Sequence, residues 1–127
     1  MCRILVIDDE KMVCEIVMKI LERGGYQVTG VDKAGVGLEM FREHPFNVVI
    51  TDLTLPDGDG LEIIQELSAE FPDTRYIAMS GSGQLLQDGF LTKARDMGVN
   101  QVLHKPFTAI DLLDTVSGLV EGNAARI

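Results

Sequence analysis

The sequence predicts an α/β domain of the (βα)₅ kind: one doubly wound, parallel, five-stranded sheet with helices on both faces. Three observations lead there. Five short apolar runs recur along the chain: Ile4–Ile7, Val28–Val31, Val48–Ile50, Tyr76–Met79 and Val102–Leu103. A longer stretch follows each run, with its apolar residues at helical spacing. Apart from Val28–Val31, the runs are also continuous rather than alternating, as in strands buried on both faces. Right-handed crossovers then place the helices on the two faces of one sheet.

Taken in order, Ile4–Ile7 is the most continuous run. The helix after it carries Val13, Ile16, Val17, Ile20 and Leu21 on one face and stops at Gly24-Gly25. The second strand, Val28–Val31, is interrupted by Thr29 and Gly30. The second helix spans Ala34 to Arg42. Gly35 and Gly37 weaken it, Leu38 and Phe41 share a face, and His44-Pro45 ends it. After Val48–Ile50, the third helix presents Leu61, Ile64 and Leu67 and stops at Phe71-Pro72. The fourth shows Leu86, Phe90, Ala94 and Met97, then Gly98. The fifth opens with Thr108 and Asp111 in a capping-box pattern and continues through Leu112, Leu113, Val116 and Val120.

A chain of 127 residues with 46% hydrophobic content fits one globular domain. The expected boundaries are 1–120 for the domain and 121–127 for a short, fraying C-terminal tail. The net charge of −9, twenty acidic residues against eleven basic ones with no Lys/Arg cluster, argues against direct binding of nucleic acid. No apolar run approaches the roughly 18 residues of a membrane span. The apolar part of the N-terminus is too short for a signal peptide. A cytoplasmic location is therefore expected. Cys2 and Cys14 lack metal-ligand spacing and read as free thiols of a reducing compartment.

The residues that follow the strands carry the chemistry. Asp8, Asp9 and Glu10 come after the first, Asp52 after the third, Ser80 after the fourth and Lys105 after the fifth. Open α/β sheets gather their sites at the carboxyl ends of the strands, so these groups converge on one edge. Crowded carboxylates repel unless a cation sits among them. Mg²⁺ suits such a set, usually with phosphate oxygens completing its shell. Lys105 adds a mobile positive charge, Ser80 can donate a hydrogen bond to a phosphoryl oxygen, and an aspartate can form an acyl phosphate.

Ile-Asp-Asp-Glu at 7–10, Asp52 with Pro56 and Gly60 beyond it, Ser80, and Lys105-Pro106-Phe107 resemble the receiver domain of two-component response regulators. The resemblance covers residues 3 to about 120 and points to a single-domain regulator of the chemotaxis type. It implies the flavodoxin-like strand order 2-1-3-4-5. It also implies that Asp52 accepts a phosphoryl group from a phosphohistidine on a sensor histidine kinase or phosphotransfer domain. Asp9, Asp52 and the main-chain carbonyl of Thr54 would bind Mg²⁺ directly, with Asp8 acting through water. Ser80 would bond the phosphoryl group in the active state, Lys105 would ion-pair with it, and the Lys105–Pro106 peptide would be cis. Such a domain catalyses only its own phosphorylation and dephosphorylation and is not a conventional enzyme. Its output is a contact with a target protein or effector domain, or a phosphorylation-dependent homodimer, through the fourth helix, fifth strand and fifth helix. Two positions depart from the family pattern. Val102 stands where an aromatic residue often reports activation, and Gly81-Ser82 replace larger residues after the switch hydroxyl, which opens the acceptor to water.

Other readings weigh less. Asp57-Gly58-Asp59-Gly60 starts like an EF-hand loop, but the sixth position is Glu62 and the twelfth Ser68, so a turn into the third helix fits better. Gly81-Ser82-Gly83 lacks the lysine of a phosphate loop. His44 reads as exposed, and strand alternation turns His104 away from Lys105. The methionines read as core fillers. A never-phosphorylated docking module is the runner-up. A flavodoxin-like electron carrier lacks its phosphate loop, because Asp-Asp-Glu stands there. An aspartate-nucleophile phosphatase would need a second Asp at position 54, where Thr54 stands.

Overall fold

The computed structural model describes residues 2–81, 83 and 87–121. Five parallel strands are β1 (Arg3–Ile7), β2 (Gln27–Val31), β3 (Val48–Asp52), β4 (Arg75–Ser80) and β5 (Gln101–His104). Between them run α1 (Lys11–Arg23), α2 (Ala34–Glu43), α3 (Gly60–Glu70) and α4 (Phe90–Asp96), with α5 (Ala109–Val120) last. The sheet order is β2-β1-β3-β4-β5, as expected.

Alternation along the strands divides the core in two. On one face Ile4 and Val6 of β1, Val48 and Ile50 of β3, and Ile77 and Met79 of β4 pack against Val17 and Leu21 of α1 and Leu112 and Val116 of α5. On the other, Leu5, Ile7, Val49, Tyr76 and Ala78 meet Phe41 of α2, Ile64 and Leu67 of α3 and Phe90 and Ala94 of α4. Burial on both sides explains the continuous apolar runs of the inner strands. At the edge, β2 is only half-covered, which accounts for its weaker signal.

The helix faces needed correction in places. In α1 the buried positions are Cys14, Val17 and Leu21, while Ile16 is exposed. The buried stripe is centred one position away from Ile16, and Cys14 fills it because Gly30 of β2 leaves room for its sulfur: a Cβ at Gly30 would meet Cys14 Sγ at 2.8 Å. In α5 the stripe runs Leu112, Val116, Leu119, and Val120 is exposed. Met12 lies at the surface and is no core filler, whereas Met97 packs against the second core. The fourth helix is the seven-residue α4, beginning at Phe90. Leu86, Ser82 and the tail residues 122–127 lie outside the described residues.

The signals that end the first three helices, and the capping box that begins the fifth, were correctly placed. Thr108 accepts from the Asp111 N–H at 3.0 Å, and Asp111 returns the bond to the Thr108 N–H at 3.2 Å, closing the capping box of α5. Asp59 caps α3 by accepting from Leu61 N–H at 2.8 Å. The segment 54–59 is a tight turn with a two-residue antiparallel ladder, Thr54–Leu55 against Gly58–Asp59.

From that turn Asp57 reaches across to α2. Its Oδ1 accepts from Ala34 N–H at 2.8 Å and its Oδ2 from Gly35 N–H at 3.1 Å. Lys33, the N-cap residue of α2, supplies no side-chain cap, so Asp57 does the work of one from another loop. The bonds from Gly35 and Ala34 hold the Asp57 carboxyl below its ordinary range. A depressed carboxyl stabilises the fold above its unfolded pKa of about 3.9 and loses that contribution as pH falls through the folded value. Asp57→Asn is therefore expected to lower the urea midpoint at neutral pH. The difference from the native chain should close in acid, and a difference independent of pH would refute this account.

Candidate functional site

Parallel pairing brings the carboxylates together. Ile7 is in register with Thr51, so Asp8 and Asp52, each one residue further on, emerge side by side where β1 meets β3. This is the topological switch point, where adjacent crossovers leave in opposite directions and open a crevice. Asp8 is fully buried, and its Oδ1 accepts from the Glu10 N–H at 2.9 Å, which fixes the turn into α1. Asp52 is buried too, with its Oδ1 3.5 Å from Thr54 N.

Lys105 reaches the crevice from β5, across the end of β4. Its N–H donates to Ser80 O at 2.8 Å, tying the two strand ends together. The Lys105–Pro106 peptide is cis. The ammonium donates to Asp8 Oδ2 at 3.0 Å, to Asp52 Oδ2 at 3.2 Å and to Glu10 Oε1 at 3.5 Å. Burial pulls the Lys105 pKa down, but the hydrogen bond it donates to Asp8 and the charges of Asp8 and Asp52 outweigh it, and the net shift is upward. Lys105 thus stays a cation. Burial pushes Asp8 up, and the Glu10 N–H and Lys105 offset this only in part.

Oxygen atoms of Asp8, Glu10 and Asp52 all lie within 4.8 Å of one another. Three carboxyl groups around one ammonium gather hard oxygen donors at one point, with burial, and to a lesser degree Asp52, holding Asp8 up. This donor set fits Mg²⁺ better than a softer metal. The crevice opens into a cavity of about 620 Å³ lined by Asp9, Glu10, Asp52, Thr54, Gln87 and Lys105. That leaves room for a phosphoryl group and a hydrated cation.

The expected site residues fall into three groups. Asp8, Asp52 and Lys105 are in direct contact. Asp9 and Thr54 line the same cavity without joining the carboxylate cluster. Ser80 sits at the end of β4, fully buried, and among the described residues its Oγ has no hydrogen-bond partner. Glu10 followed the two aspartates in the sequence without being assigned a role, yet the structure places it on Lys105. The available signal was its place at the start of a helix directly after the acidic pair. Gln87 gave no signal in the sequence. His104 is exposed, and Val102 is half-buried against the core that holds Ala78.

A family profile described as the response regulator receiver domain matches residues 4–117. The chain belongs to this receiver-domain family. The receiver protein CpdR of Brucella abortus is 29% identical over 120 residues, covering 94% of this chain and 98% of that protein. NtrC of Azospirillum brasilense, a DNA-binding transcriptional regulator, is likewise 29% identical over 120 residues, but the match covers only 24% of its length. Among solved structures, the beryllofluoride-activated NtrC4 receiver domain dimer superposes with a TM-score of 0.88 at 30% identity, covering 98% of this chain and 100% of that one. The chain is a receiver domain of two-component signalling, and its acidic cluster fits the phosphoacceptor site with Mg²⁺ that such domains carry. Among the described residues no helix is long and apolar enough to cross a membrane.

Proposed function

We propose that Asp52 accepts a phosphoryl group from a phosphohistidine of a sensor histidine kinase or phosphotransfer domain, and that the acyl phosphate switches protein–protein contacts. The observation that carries this is the Asp52 carboxylate, 3.2 Å from the Lys105 ammonium, beside buried Asp8, at the floor of an open cavity. An oxygen of Asp52 attacks phosphorus, the P–N bond of the donor breaks, and its electron pair leaves with the imidazole. Lys105, already drawn to Asp52, moves to the phosphoryl oxygens. Asp9, Asp52 and the Thr54 carbonyl would hold Mg²⁺ directly and Asp8 through water. When bound, the ion neutralises carboxylate and phosphoryl charge together. Ser80 Oγ, buried without a partner among the described residues, supplies a donor that the phosphoryl group can satisfy. The domain catalyses only its own phosphorylation and dephosphorylation.

Because Lys105 N–H is bonded to Ser80 O, pulling both residues inward moves the ends of β4 and β5 as one. The output face is then α4, β5 and α5, where Leu103, His104, Phe107 and Asp111 line a groove. Val102 is too small to repeat an aromatic rotamer swing, so the shift is carried by the backbone and by Ser80. The partner is a target protein or effector domain, or a second phosphorylated copy, and the NtrC4 receiver dimer favours the last. Residues 1–120 form the working unit, and the two free thiols suit the cytoplasm.

Intact mass after incubation with acetyl phosphate, with and without Mg²⁺, tests the reading. A single labile adduct that requires the cation is expected. No adduct under either condition would leave a docking module that works without phosphorylation.

The same cation should stabilise the fold. At about 100-fold above Kd, binding adds about 2.7 kcal/mol to unfolding. Without metal, the raised Asp8 favours the fold below the ordinary carboxylate pKa, and that benefit is lost as pH rises through its folded value. Cation binding needs the carboxylates ionised. Mg²⁺ should therefore raise Tm at neutral pH, with the gain fading as pH falls through the Asp8 transition. Calorimetry with and without a chelator measures it, and an equal gain at every pH would count against this site.

A further inference from the structure

We infer that Glu10 is a positioning residue for Lys105: its carboxylate holds the ammonium in the resting site and releases it to the arriving phosphoryl group. The inference rests on Asp52 being the acceptor. Glu10 occupies the N-cap position of α1 but makes no side-chain cap there. Its backbone is held by Asp8, and its carboxylate turns to Lys105 Nζ at 3.5 Å. The three carboxylates on Lys105 differ in burial. Asp8 is 0% exposed and Asp52 12%, whereas Glu10 is 61% exposed and lines the cavity.

Glu10 is therefore the outermost, longest and most solvent-screened of the three contacts, and the one most easily exchanged. It also places a negative charge beside the path of an anionic donor. Retained, it keeps Lys105 centred over the crevice but repels the donor. Released, it leaves the ammonium to the phosphoryl oxygens. Lys105 then exchanges partners at the mouth of the cavity while its bond to buried Asp8 anchors it.

Two measurements on Glu10→Gln test this. At saturating Mg²⁺ and low ionic strength, phosphorylation by acetyl phosphate should be about 2–5-fold faster than in the native chain, the order expected for one exposed charge a few ångströms away. The ratio should approach one near 1 M salt, where the Debye length is about 3 Å. A purely structural role would not follow salt in this way. The Lys105 side-chain NMR signal should differ between variant and native chain before phosphorylation and coincide after it. A rate equal to or below native at low salt, or an unmoved Lys105 signal in the resting state, overturns the inference while the Asp52 adduct still stands. Absence of any adduct on the native chain overturns the acceptor reading and this inference with it.

Discussion

Asp52→Asn is expected to carry no phosphoryl adduct under conditions that modify the native chain. The amide keeps a single oxygen acceptor, so it can retain the Lys105 contact at 3.2 Å or the Thr54 N–H contact at 3.5 Å, but not both. What disappears is the anionic nucleophile, and no neighbour replaces it. Asp8 is buried with one oxygen on Glu10 N–H and the other on Lys105, and the Glu10 carboxylate lies largely exposed at the rim. The variant should stay folded, because removing one of three crowded charges relieves repulsion on Asp8, which Asp52 helps to push up. The gain in Tm from Mg²⁺ should shrink as a ligand loses its charge. Intact mass and calorimetry on the same preparation decide the matter. A labile adduct of undiminished yield on Asp52→Asn would place the acceptor elsewhere.

Gly60→Ala is expected to cost about 3 kcal/mol, the upper end of ordinary overpacking. Gly60 opens α3 and donates its N–H to Leu53 O at 2.9 Å. A Cβ there would run into the main-chain oxygen of Asp52 and lie 2.9 Å from Leu53 Cα and 3.0 Å from Asp52 C. These are backbone atoms of the acceptor's own strand end, so no side chain can rotate away. Either α3 or Asp52 must move, and any fraction that folds should also be phosphorylated more slowly. Gly118→Ala is the contrast. It lies within α5 with nothing within 4 Å of a new Cβ, so the change should stabilise by roughly 0.5–1 kcal/mol. Urea unfolding of both variants checks this, and a Gly60→Ala within about 1 kcal/mol of native would sink the account.

Gly60 also shows where the sequence stops being informative. It was visible as part of a turn, but the contact that makes it necessary is with Asp52, across the loop. Asp57 behaves similarly. Its sequence neighbours suggest a local turn, and only the fold brings it to Ala34 and Gly35. The α1 stripe was misplaced because Ile16 is more hydrophobic than Cys14 and periodicity alone cannot choose between adjacent stripes. The gap left by Gly30 on β2 makes that choice.

By itself, the sequence determined the five βα units, the ends of most helices, the capping box at Thr108 and the set of groups at the carboxyl edge. Those features depend on local periodicity, on turn chemistry and on which residue follows each apolar run. Tertiary structure alone decided how that set is shared. Asp8 and Asp52 meet because β1 and β3 are paired in register. Lys105 joins them by spanning the end of β4, with the Ser80 Oγ buried and, among the described residues, without a hydrogen-bond partner, and with Glu10 at the rim. Distances between residues nearly a hundred positions apart follow from strand order and register, and no local pattern encodes them.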